Sequence, residues 1–354
     1  MQSENSFTDN IWKYFAHDIA IDLGTANTLV FTLGKGIVMR EPSTVATHKK
    51  TKDILAVGHE AKNMIGKTPA NITAVRPLRN GVISDFDMAE AMIKYFIKRV
   101  HKSHSIFDLK IPRPRLAIGI PSGVTEVERK AVVDAAMKSG ARKVYLIEEP
   151  MAAAIGAKLP VEEASGSMVV DIGGGTSEIA IISLGGIVTS RSIRIAGDEF
   201  DEEIINWAKY KHNLLIGEKT SEEIKISAGA ATPTSNEKDM KVVSMRGRDL
   251  KTGLPKEIMV NENDMYEAIE RPLGLIVENI KDTIEETPPE LLADLYHNGM
   301  VLTGGGALLR RLDQRIANET KMPVFIDEDP LTTVVRGCGI SLEHIGLLNK
   351  VRID

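Results

Sequence analysis

The sequence predicts an α/β protein of two duplicated domains, each built on a mixed sheet flanked by helices. Three observations lead to this fold class. The chain has 354 residues, which fits about two domains of ordinary size. A short apolar run that ends in Asp-x-Gly occurs twice, at residues 19–24 and 168–173. Segments with helical spacing of apolar residues follow each copy, as expected when strands and helices share a domain.

Composition and charge argue against several other classes of protein. Hydrophobic residues make up 43% and charged residues 26%, which is typical of a globular chain and not of a disordered, collagen-like or coiled-coil protein. With 44 basic and 49 acidic side chains the net charge is -5, so no binding to nucleic acid is expected. The single cysteine, Cys338, allows no internal disulfide, and no apolar run reaches the ~18 residues of a membrane span. We therefore predict a cytoplasmic protein.

Both halves of the chain open with the same order of strands and turns. After the first Asp-x-Gly, the apolar runs at residues 28–31 and 37–39 are separated by a glycine turn, and the runs at 179–182 and 187–188 repeat this arrangement after the second. Apolar runs bounded by glycines predict strands joined by hairpins. Each half is therefore predicted to begin as strand, tight Asp-Gly turn, strand, turn, strand.

Helices are predicted after each set of strands. Apolar residues three and four apart at positions 86–100 and 200–208 give each helix one apolar face. Thr125 with Glu128 forms a capping-box pattern before another helix, and residues 144–147 predict a buried strand.

In the second half, a pair of prolines predicts where a long helix ends. A long helix is predicted from about Asp264 to Thr287, because Pro288 and Pro289 cannot continue it. Residues 230–255 are polar, contain glycine and show little periodicity, so they are predicted to form the tip of a lobe.

The two Asp-x-Gly turns are candidate phosphate-binding sites. A turn of small residues presents backbone N–H groups that can bind phosphate oxygens, and glycine lets the ligand approach closely. The aspartates fit such a site when Mg²⁺ lies between carboxylate and phosphate, mainly through its waters. One such turn alone is equally a plain hairpin, whereas two copies facing each other predict a clamp on the β and γ phosphates of a nucleotide. The residues are Asp22, Gly24, Thr25, Asp171, Gly173, Gly174, Gly175 and Thr176.

Three further segments bear on this hypothesis. Residues 61–68 satisfy a relaxed P-loop pattern, but Pro69 follows directly with no helical stripe after it and residues 60–65 themselves look helical, so a P-loop is not predicted. The glycines in residues 301–309 offer flat backbone against which an adenine or ribose could lie. Glu149 follows the strand at 144–147 and precedes an alanine-rich helix, where a general base could orient a water for attack on the γ phosphate.

In this order along the chain, the motifs resemble those of the actin and chaperone ATPase superfamily, and most closely the MreB family of bacterial actins. The resemblance runs from about residue 18 to 345. One departure is Arg311, which stands where the family usually has Gly. The similar segments are residues 22–28, 149–156, 212–218, 247–250, 287–291 and 302–309.

The resemblance implies an actin-like ATPase fold, with two duplicated domains around a nucleotide cleft and a smaller outer subdomain in each. The implied domains are 18–155 (outer part about 46–79) and 156–332 (outer part about 200–263), with residues 333–354 returning to the first. It implies ATP and Mg²⁺ as cofactors, with Glu149 and Thr176 catalytic and Asp22 and Asp171 holding the metal through water. The implied nucleotide-binding residues are Gly24, Thr25, Ala26, Asn27, Gly173, Gly174, Gly175, Thr176, Glu222, Lys225, Gly304, Gly305, Gly306 and Ala307.

The function that the resemblance implies is ATP-driven assembly of filaments, as paired protofilaments at the inner face of the cytoplasmic membrane. Such filaments maintain rod shape by organising cell-wall elongation with membrane proteins of that machinery. A sugar or acetate kinase of the same superfamily would need a second acid or base for its substrate, and no such set is apparent. A seventy-kilodalton chaperone would need a substrate domain, but only about 45 residues follow Leu309.

Two segments are candidates for membrane contact. Four of the 16 aromatic residues fall in the first 17 positions, and a short helix capped by Asp9 would place Ile11, Trp12 and Phe15 together. Ile106 and Phe107 lie in a polar loop and form a second candidate. The alternative is that residues 1–17 pack on their own domain or are disordered.

Overall fold

The computed structural model describes residues 17–101, 113–236 and 240–353. These form two compact units. The first comprises the chain up to Ser165 together with Ile182–Ile187 and the segment from Thr332, and the second comprises Gly166–Ile181 and Val188–Leu331. The domain boundaries implied by the family resemblance stay a prediction.

The strands, in chain order, are β1 Ile19–Leu23, β2 Asn27–Thr32, β3 Gly36–Pro42, β4 Val45–His48, β5 Ile54–Val57, β6 Ile72–Val75, β7 Leu78–Arg79, β8 Val82–Ile83, β9 Arg115–Ile120, β10 Lys143–Glu148, β11 Ser167–Ile172, β12 Ser177–Ser183, β13 Gly186–Ile193, β14 Leu214–Leu215, β15 Val242–Asp249, β16 Pro255–Asn261, β17 Met300–Thr303, β18 Val324–Ile326 and β19 Arg352–Ile353. The helices are α1 His59–Lys62, α2 Phe86–His101, α3 Glu126–Lys138, α4 Glu149–Gly156, α5 Gly197–His212, α6 Glu218–Ala228, α7 Glu262–Glu285, α8 Pro289–Asn298, α9 Leu312–Thr320, α10 Thr333–Glu343 and α11 Ile345–Val351. A 3₁₀ helix covers Gly305–Leu308.

The main sheet of each unit has the same design. In the first unit the strand order is β19-β10-β9-β1-β2-β3, with β1 antiparallel to β2 and parallel to β9. In the second unit the order is β13-β12-β11-β17-β18, with β11 parallel to β17 and β17 parallel to β18. Both sheets therefore place three consecutive strands on one side and later parallel strands on the other. This common order agrees with a duplicated unit.

Apolar patterning explains the cores. The helical face predicted at 86–100 is α2, whose Met92, Ile93, Phe96 and Ile97 are fully buried in the core of the first unit. The stripe predicted at 200–208 is on α5, which packs in the core of the second unit. Burial of each such side chain contributes about 1.5–3 kcal/mol, so these faces fix how the helices lie on the sheets.

Local signals set several helix ends. Thr125 accepts the N–H of Glu128, whose carboxylate in turn accepts the N–H of Thr125, so the predicted capping box is present at the start of α3. A second capping box, Asn261 with Asp264, begins α7 at Glu262, two positions before the predicted start. Pro272 lies inside α7 on its buried face. This proline therefore does not interrupt the helix.

Residues 230–255, predicted to form the tip of a lobe, contain a regular strand over part of their length. Val242–Asp249 forms β15, which pairs with β16 and with β14 in a three-stranded sheet. Only Met245 of this strand is buried, and its neighbours are exposed or half-buried. Pairing with a partner strand, and not an apolar pattern, therefore determines this strand. The first unit holds a three-stranded sheet of its own, β5-β4-β6.

Neither a P-loop nor a membrane-spanning helix is present in the described part of the chain. The relaxed P-loop pattern at 61–68 begins in α1 and continues as turns, and the helix that a P-loop requires at its Gly-Lys-Thr end does not form there. Across the described ranges 17–101, 113–236 and 240–353, none of the helices combines the length and apolarity needed to span a bilayer.

Candidate functional site

Asp22 and Glu149 lie at the same edge of the main sheet in the first unit. Asp22 is near the end of β1, and its register partner in the parallel strand β9 is Gly119. Gly119 is also the partner of Ile147 in β10, and Glu149 begins α4 directly after β10. Carboxyl ends of parallel strands form one edge of a sheet, which is where α/β proteins place their ligands. The Glu149 side chain is 7% exposed.

A packed layer holds Glu149 in position. A Cβ atom on Gly119 would lie 3.6 Å from Glu149 Cγ, 3.6 Å from Cys338 Sγ and 3.0 Å from Val334 Cγ1, so glycine leaves the room that α4 and α10 occupy. Burial raises the pKa of the Cys338 thiol well above its usual value, and the carboxylates of Asp22 and Glu149 raise it further. Asp22 and Glu149 therefore both lie close enough to the buried Cys338 thiol to raise its pKa.

The first predicted phosphate turn, at residues 24–27, has its carbonyl groups occupied. Ser43 donates its hydroxyl to Gly24 O and its backbone N–H to Ala26 O at 3.0 Å. Thr25 Oγ1 accepts the N–H of Gly81 at 2.9 Å, which leaves the hydroxyl proton to donate. Asn27 is exposed. Two carbonyls of this turn are thus bonded within the first unit, and the Thr25 hydroxyl can donate to an anion.

The second predicted phosphate turn, at residues 173–176, has the same property. Gly173 N–H bonds to Thr176 O at 2.9 Å and closes the turn. The carbonyls of Gly173 and Gly174 accept from Gly197 N–H at 3.2 Å and Asp198 N–H at 2.7 Å, the first amides of α5. Within the described part of the chain, the N–H groups of Gly174 and Gly175 have no backbone acceptor. Such free amides can cradle phosphate oxygens.

Asp171 is a buried carboxylate at the end of β11. It is 6% exposed, and Thr303 donates its hydroxyl to Asp171 Oδ1 at 2.7 Å. Burial raises the pKa of Asp171 to about 6; the Thr303 hydrogen bond opposes this rise, and repulsion from Glu178 adds to it. A hydrated cation nearby would favour the ionised form, so Asp171 suits the predicted role of holding Mg²⁺ through water. Within ranges 17–101, 113–236 and 240–353, no group of three His, Cys, Asp or Glu could ligate a metal directly.

Replacing Asp171 with Asn should stabilise the protein in the absence of metal and nucleotide. The folded-state pKa lies above the ordinary 3.8, so between pH ~4 and ~6 the folded state binds more protons than the unfolded chain. The free energy of unfolding therefore falls as pH rises through this window. Since two pKa units correspond to about 3 kcal/mol, the variant should exceed the wild type by up to that amount at about pH 7.5.

Urea unfolding at about pH 4.5 and 7.5 measures this difference. The gain should largely disappear at the lower pH, where Asp171 is protonated in the wild type. Asp18→Asn is the matched control: Asp18 is 5% exposed but paired with Arg115, so its loss should destabilise. Equal stability of the Asp171→Asn and wild-type proteins at about pH 7.5 would contradict the prediction.

The glycine turn predicted for adenosine packs on the end of β11. Gly304 has φ +77°, and a Cβ there would lie 2.4 Å from Ile172 O and 2.8 Å from Asp171 Oδ1. A Cβ on Gly306 would lie 2.2 Å from Ile172 Cγ2. Gly305–Leu308, with Ala307 buried, is a 3₁₀ helix, and the next α-helix, α9, begins at Leu312.

Arg311, the departure from the family pattern, adopts the left-handed conformation with φ 61°. That conformation is strained for any residue with a side chain, which explains why glycine suits the position. Here the guanidinium donates to Glu262 Oε2 at 2.8 Å and to Thr232 O at 3.0 Å. Glu262 is fully buried and also pairs with Arg310. These bonds offset the strain of the left-handed backbone conformation at Arg311.

Lys225 on α6 lies next to the second phosphate turn. Its ammonium donates to Gly197 O at 2.6 Å and to Asp201 Oδ2 at 2.9 Å. A Cβ on Gly197 would lie 3.2 Å from Lys225 Nζ and 3.3 Å from Gly173 O. Glu222, one turn earlier on α6, is half-buried and close enough to act on the pKa of Asp201.

The structure thus collects the predicted residues of the second unit around the end of β11, and Asp22 with Glu149 at one edge of the first. Sequence reasoning missed Gly197, Asp201 and Thr303, which contact the predicted residues directly. One available signal was the charged Asp201 within the apolar stripe of α5. The candidate membrane residues lie outside the described part of the chain, namely Ile11, Trp12, Phe15, Ile106 and Phe107.

A sequence profile of the family described as MreB/Mbl protein matches residues 16–350. The chain belongs to the MreB/Mbl family. It is 51% identical over 337 residues to the cell shape-determining protein MreB of Escherichia coli K12, covering 94% of this chain and 95% of the relative. It is 49% identical over 340 residues to the cell shape-determining protein Mbl of Bacillus subtilis 168, covering 96% and 100%. The resemblance seen in the motifs is confirmed.

Two solved structures share the fold of this chain. MreB5 of Spiroplasma citri bound to AMPPNP is 36% identical with a TM-score of 0.86, covering 94% of this chain and 97% of that one. A MamK double helical filament has a TM-score of 0.76 at 22% identity, covering 93% and 99%, and shows the fold alone. The predicted actin-like α/β fold class is confirmed.

Proposed function

We propose that this chain is an actin-like protein that binds and hydrolyses ATP, polymerises into filaments and determines rod cell shape. The observation that carries this proposal is the convergence in the second unit of the phosphate turn, Asp171, Lys225 and the adenosine turn around the end of β11. The MreB/Mbl relatives at 49–51% identity are named for determining cell shape. A solved relative binds AMPPNP and another structure of it binds ADP.

Each unit contributes its own residues to the reaction. The free amides of Gly174 and Gly175, with the Thr176 hydroxyl, bind phosphate oxygens in the second unit, and residues 24–27 do so in the first. Asp171 in the second unit and Asp22 in the first are each proposed to contact Mg²⁺ through water, and a bound ion would neutralise charge on the phosphates. Glu149 orients and polarises the attacking water, and Thr176 helps to position it. Glu222, Lys225 and residues 304–307 hold the adenosine end.

Sedimentation tests the proposal directly. The purified protein should pellet as filaments with ATP and Mg²⁺ and stay in the supernatant without nucleotide, with phosphate release during assembly. Gly304→Ala should fail to pellet, because its Cβ would enter the space of Ile172 O and the φ of +77° is unfavourable for alanine. Gly185→Ala shares a φ of +76° but meets no atom within 4 Å, and serves as the control. A protein that stays monomeric with ATP and transfers phosphate to a small molecule would instead be a kinase.

We infer that the filament binds the inner face of the cytoplasmic membrane and there meets membrane proteins of the cell-wall elongation machinery. Residues 1–16 adjoin His17, and residues 102–112 adjoin His101. The rings of His17 and His101 stack with their centroids 6.3 Å apart. The two segments that contain the candidate membrane residues therefore join the first unit at one place, which supports a common role in membrane contact.

Deleting residues 2–16 should weaken binding to liposomes while leaving nucleotide binding intact. Ile11, Trp12 and Phe15 could together contribute several kcal/mol, at about 1.5–3 kcal/mol each. Phe107→Ser should also weaken binding, and only the combination should abolish it, since a filament presents many sites at once. Liposome co-pelleting with ATP measures this. Full lipid binding by the deleted protein, with a melting temperature lowered by many degrees, would make residues 2–16 part of the fold instead.

A further inference from the structure

Two protein acceptors hold the Lys225 ammonium, and one N–H remains. A lysine ammonium has three donors. One goes to Gly197 O at 2.6 Å and one to Asp201 Oδ2 at 2.9 Å. Lysine is a flexible side chain, and ordering it costs conformational entropy. Because Gly197 and Asp201 already order the side chain, the nitrogen that carries the third N–H has a fixed position before a ligand binds.

Asp201 occupies an unfavourable place for a carboxylate. The residue is 7% exposed, and Oδ1 has no hydrogen-bond partner within the part of the chain that the structure describes. Glu222 and Asp198 add negative charge nearby, and burial raises the pKa of Asp201 to about 6 although Lys225 opposes the rise. A buried, half-satisfied carboxylate is costly for stability. The structural consequence of placing Asp201 here is that Lys225 is held in a fixed position.

The helices carrying this pair are tied together at the same point. The Ser221 hydroxyl on α6 donates to the backbone oxygen of Asp201 on α5 at 2.7 Å, and Ser221 is fully buried. The first amides of α5, those of Gly197 and Asp198, also hold the carbonyls of the second phosphate turn. Gly197 has no side chain to separate Lys225 from that turn. Asp201 therefore sets where the ammonium lies relative to the phosphate turn.

We propose that Asp201 is a positioning residue for nucleotide binding, which fixes the Lys225 ammonium beside the turn at residues 173–176 so that its remaining N–H meets the nucleotide. This role rests on the proposed binding of ATP at the second unit. Asp201 Oδ1 is buried from solvent and Oδ2 accepts from Lys225, so the role that we assign to Asp201 does not require it to touch the nucleotide. Its effect on ATP passes through Lys225.

A double-mutant cycle on ATP affinity tests this role, using the full chain with Mg²⁺ at a concentration below the assembly threshold. Asp201→Asn should weaken ATP binding about tenfold, as expected when a charge-assisted bond that orders a ligand contact is lost. Lys225→Met should weaken it at least as much. The double variant should bind no more weakly than Lys225→Met alone, because Asp201 has nothing left to position. Asp201→Glu, which keeps the charge, should recover part of the affinity.

Melting temperatures and a matched control separate this role from a purely structural one. Asp18→Asn removes another buried aspartate paired with a cation, and it should lower stability without this effect on ATP affinity. Additive losses in the cycle, or unchanged ATP affinity in Asp201→Asn, overturn the proposal. If Asp201→Asn does not fold, Asp201→Glu takes its place in the cycle and the same non-additivity is required. Failure of the wild type to bind ATP would overturn the nucleotide proposal itself.

Discussion

Replacing Glu149 with Gln should slow ATP hydrolysis by about 10²–10⁴-fold and leave ATP affinity nearly unchanged. Glutamine keeps the size of the side chain and can still bond to water, but it cannot accept a proton. The residue follows β10 at the sheet edge that Asp22 shares, and it is 7% exposed. A buried carboxylate held at a strand end is positioned for one geometry, which is what orienting a water molecule requires.

Single-turnover phosphate release and fluorescent-nucleotide binding measure the two quantities separately. Glu148→Gln is the control, since Glu148 is the neighbouring carboxylate, is half-buried and ends β10 where Glu149 starts the helix. Only the Glu149 variant should lose hydrolysis. An unchanged rate in Glu149→Gln would remove Glu149 from the reaction, whereas an equal loss in both variants would indicate a disturbed sheet edge.

Gly337→Ala should destabilise the first unit by about 3 kcal/mol or more, or prevent folding. The helices α4 and α10 pack so closely that a Cβ on Gly337 would lie 1.8 Å from Ala152 O. The opposite contact is equally close, with a Cβ on Gly156 1.9 Å from Thr333 O. Backbone atoms cannot rotate away as a side chain can, so α4 and α10 would have to separate. Glu149 begins α4 and would move with it.

Gly346→Ala provides the comparison for this substitution. Gly346 lies in the next helix, α11, and no atom lies within 4 Å of its Cβ position. Alanine is the better helix former by up to about 1 kcal/mol, so this variant should be neutral or more stable. Urea unfolding of both variants measures the difference. Equal unfolding midpoints for Gly337→Ala and Gly346→Ala would mean that α4 and α10 tolerate a wider separation.

Local chemistry made much of this fold predictable. The Asp-x-Gly turns, the capping box at Thr125 and the apolar face of α2 depend on residues at most a few positions apart, so their signals stand in the sequence itself. The glycine turn at residues 304–306 was identified for the same reason. Motifs at matching places in both halves also predicted the duplication, and the order of strands in the two sheets agrees with it.

Elements without a local signal were predicted poorly. β15 buries only Met245 and depends on its partner strands, and the cap at Asn261 moves the start of α7 to Glu262. At the candidate site, the contacts of Asp201 with Lys225 and of Thr303 with Asp171 became known from the structure. Asp201 is 24 positions from Lys225 along the chain and Thr303 is 132 from Asp171, so no spacing rule connects them.

The sequence by itself determined the family and the fold class, and it supplied the candidate residues for phosphate binding and water activation. Those properties reside in short motifs whose backbone and side-chain chemistry acts locally. The tertiary structure alone decided which neighbours fix those residues: Gly119 and Cys338 beside Glu149, and Asp201 beside Lys225. It also decided that Gly337 must lack a side chain. These contacts depend on how distant segments pack, and close packing leaves no room to change one partner without moving the other.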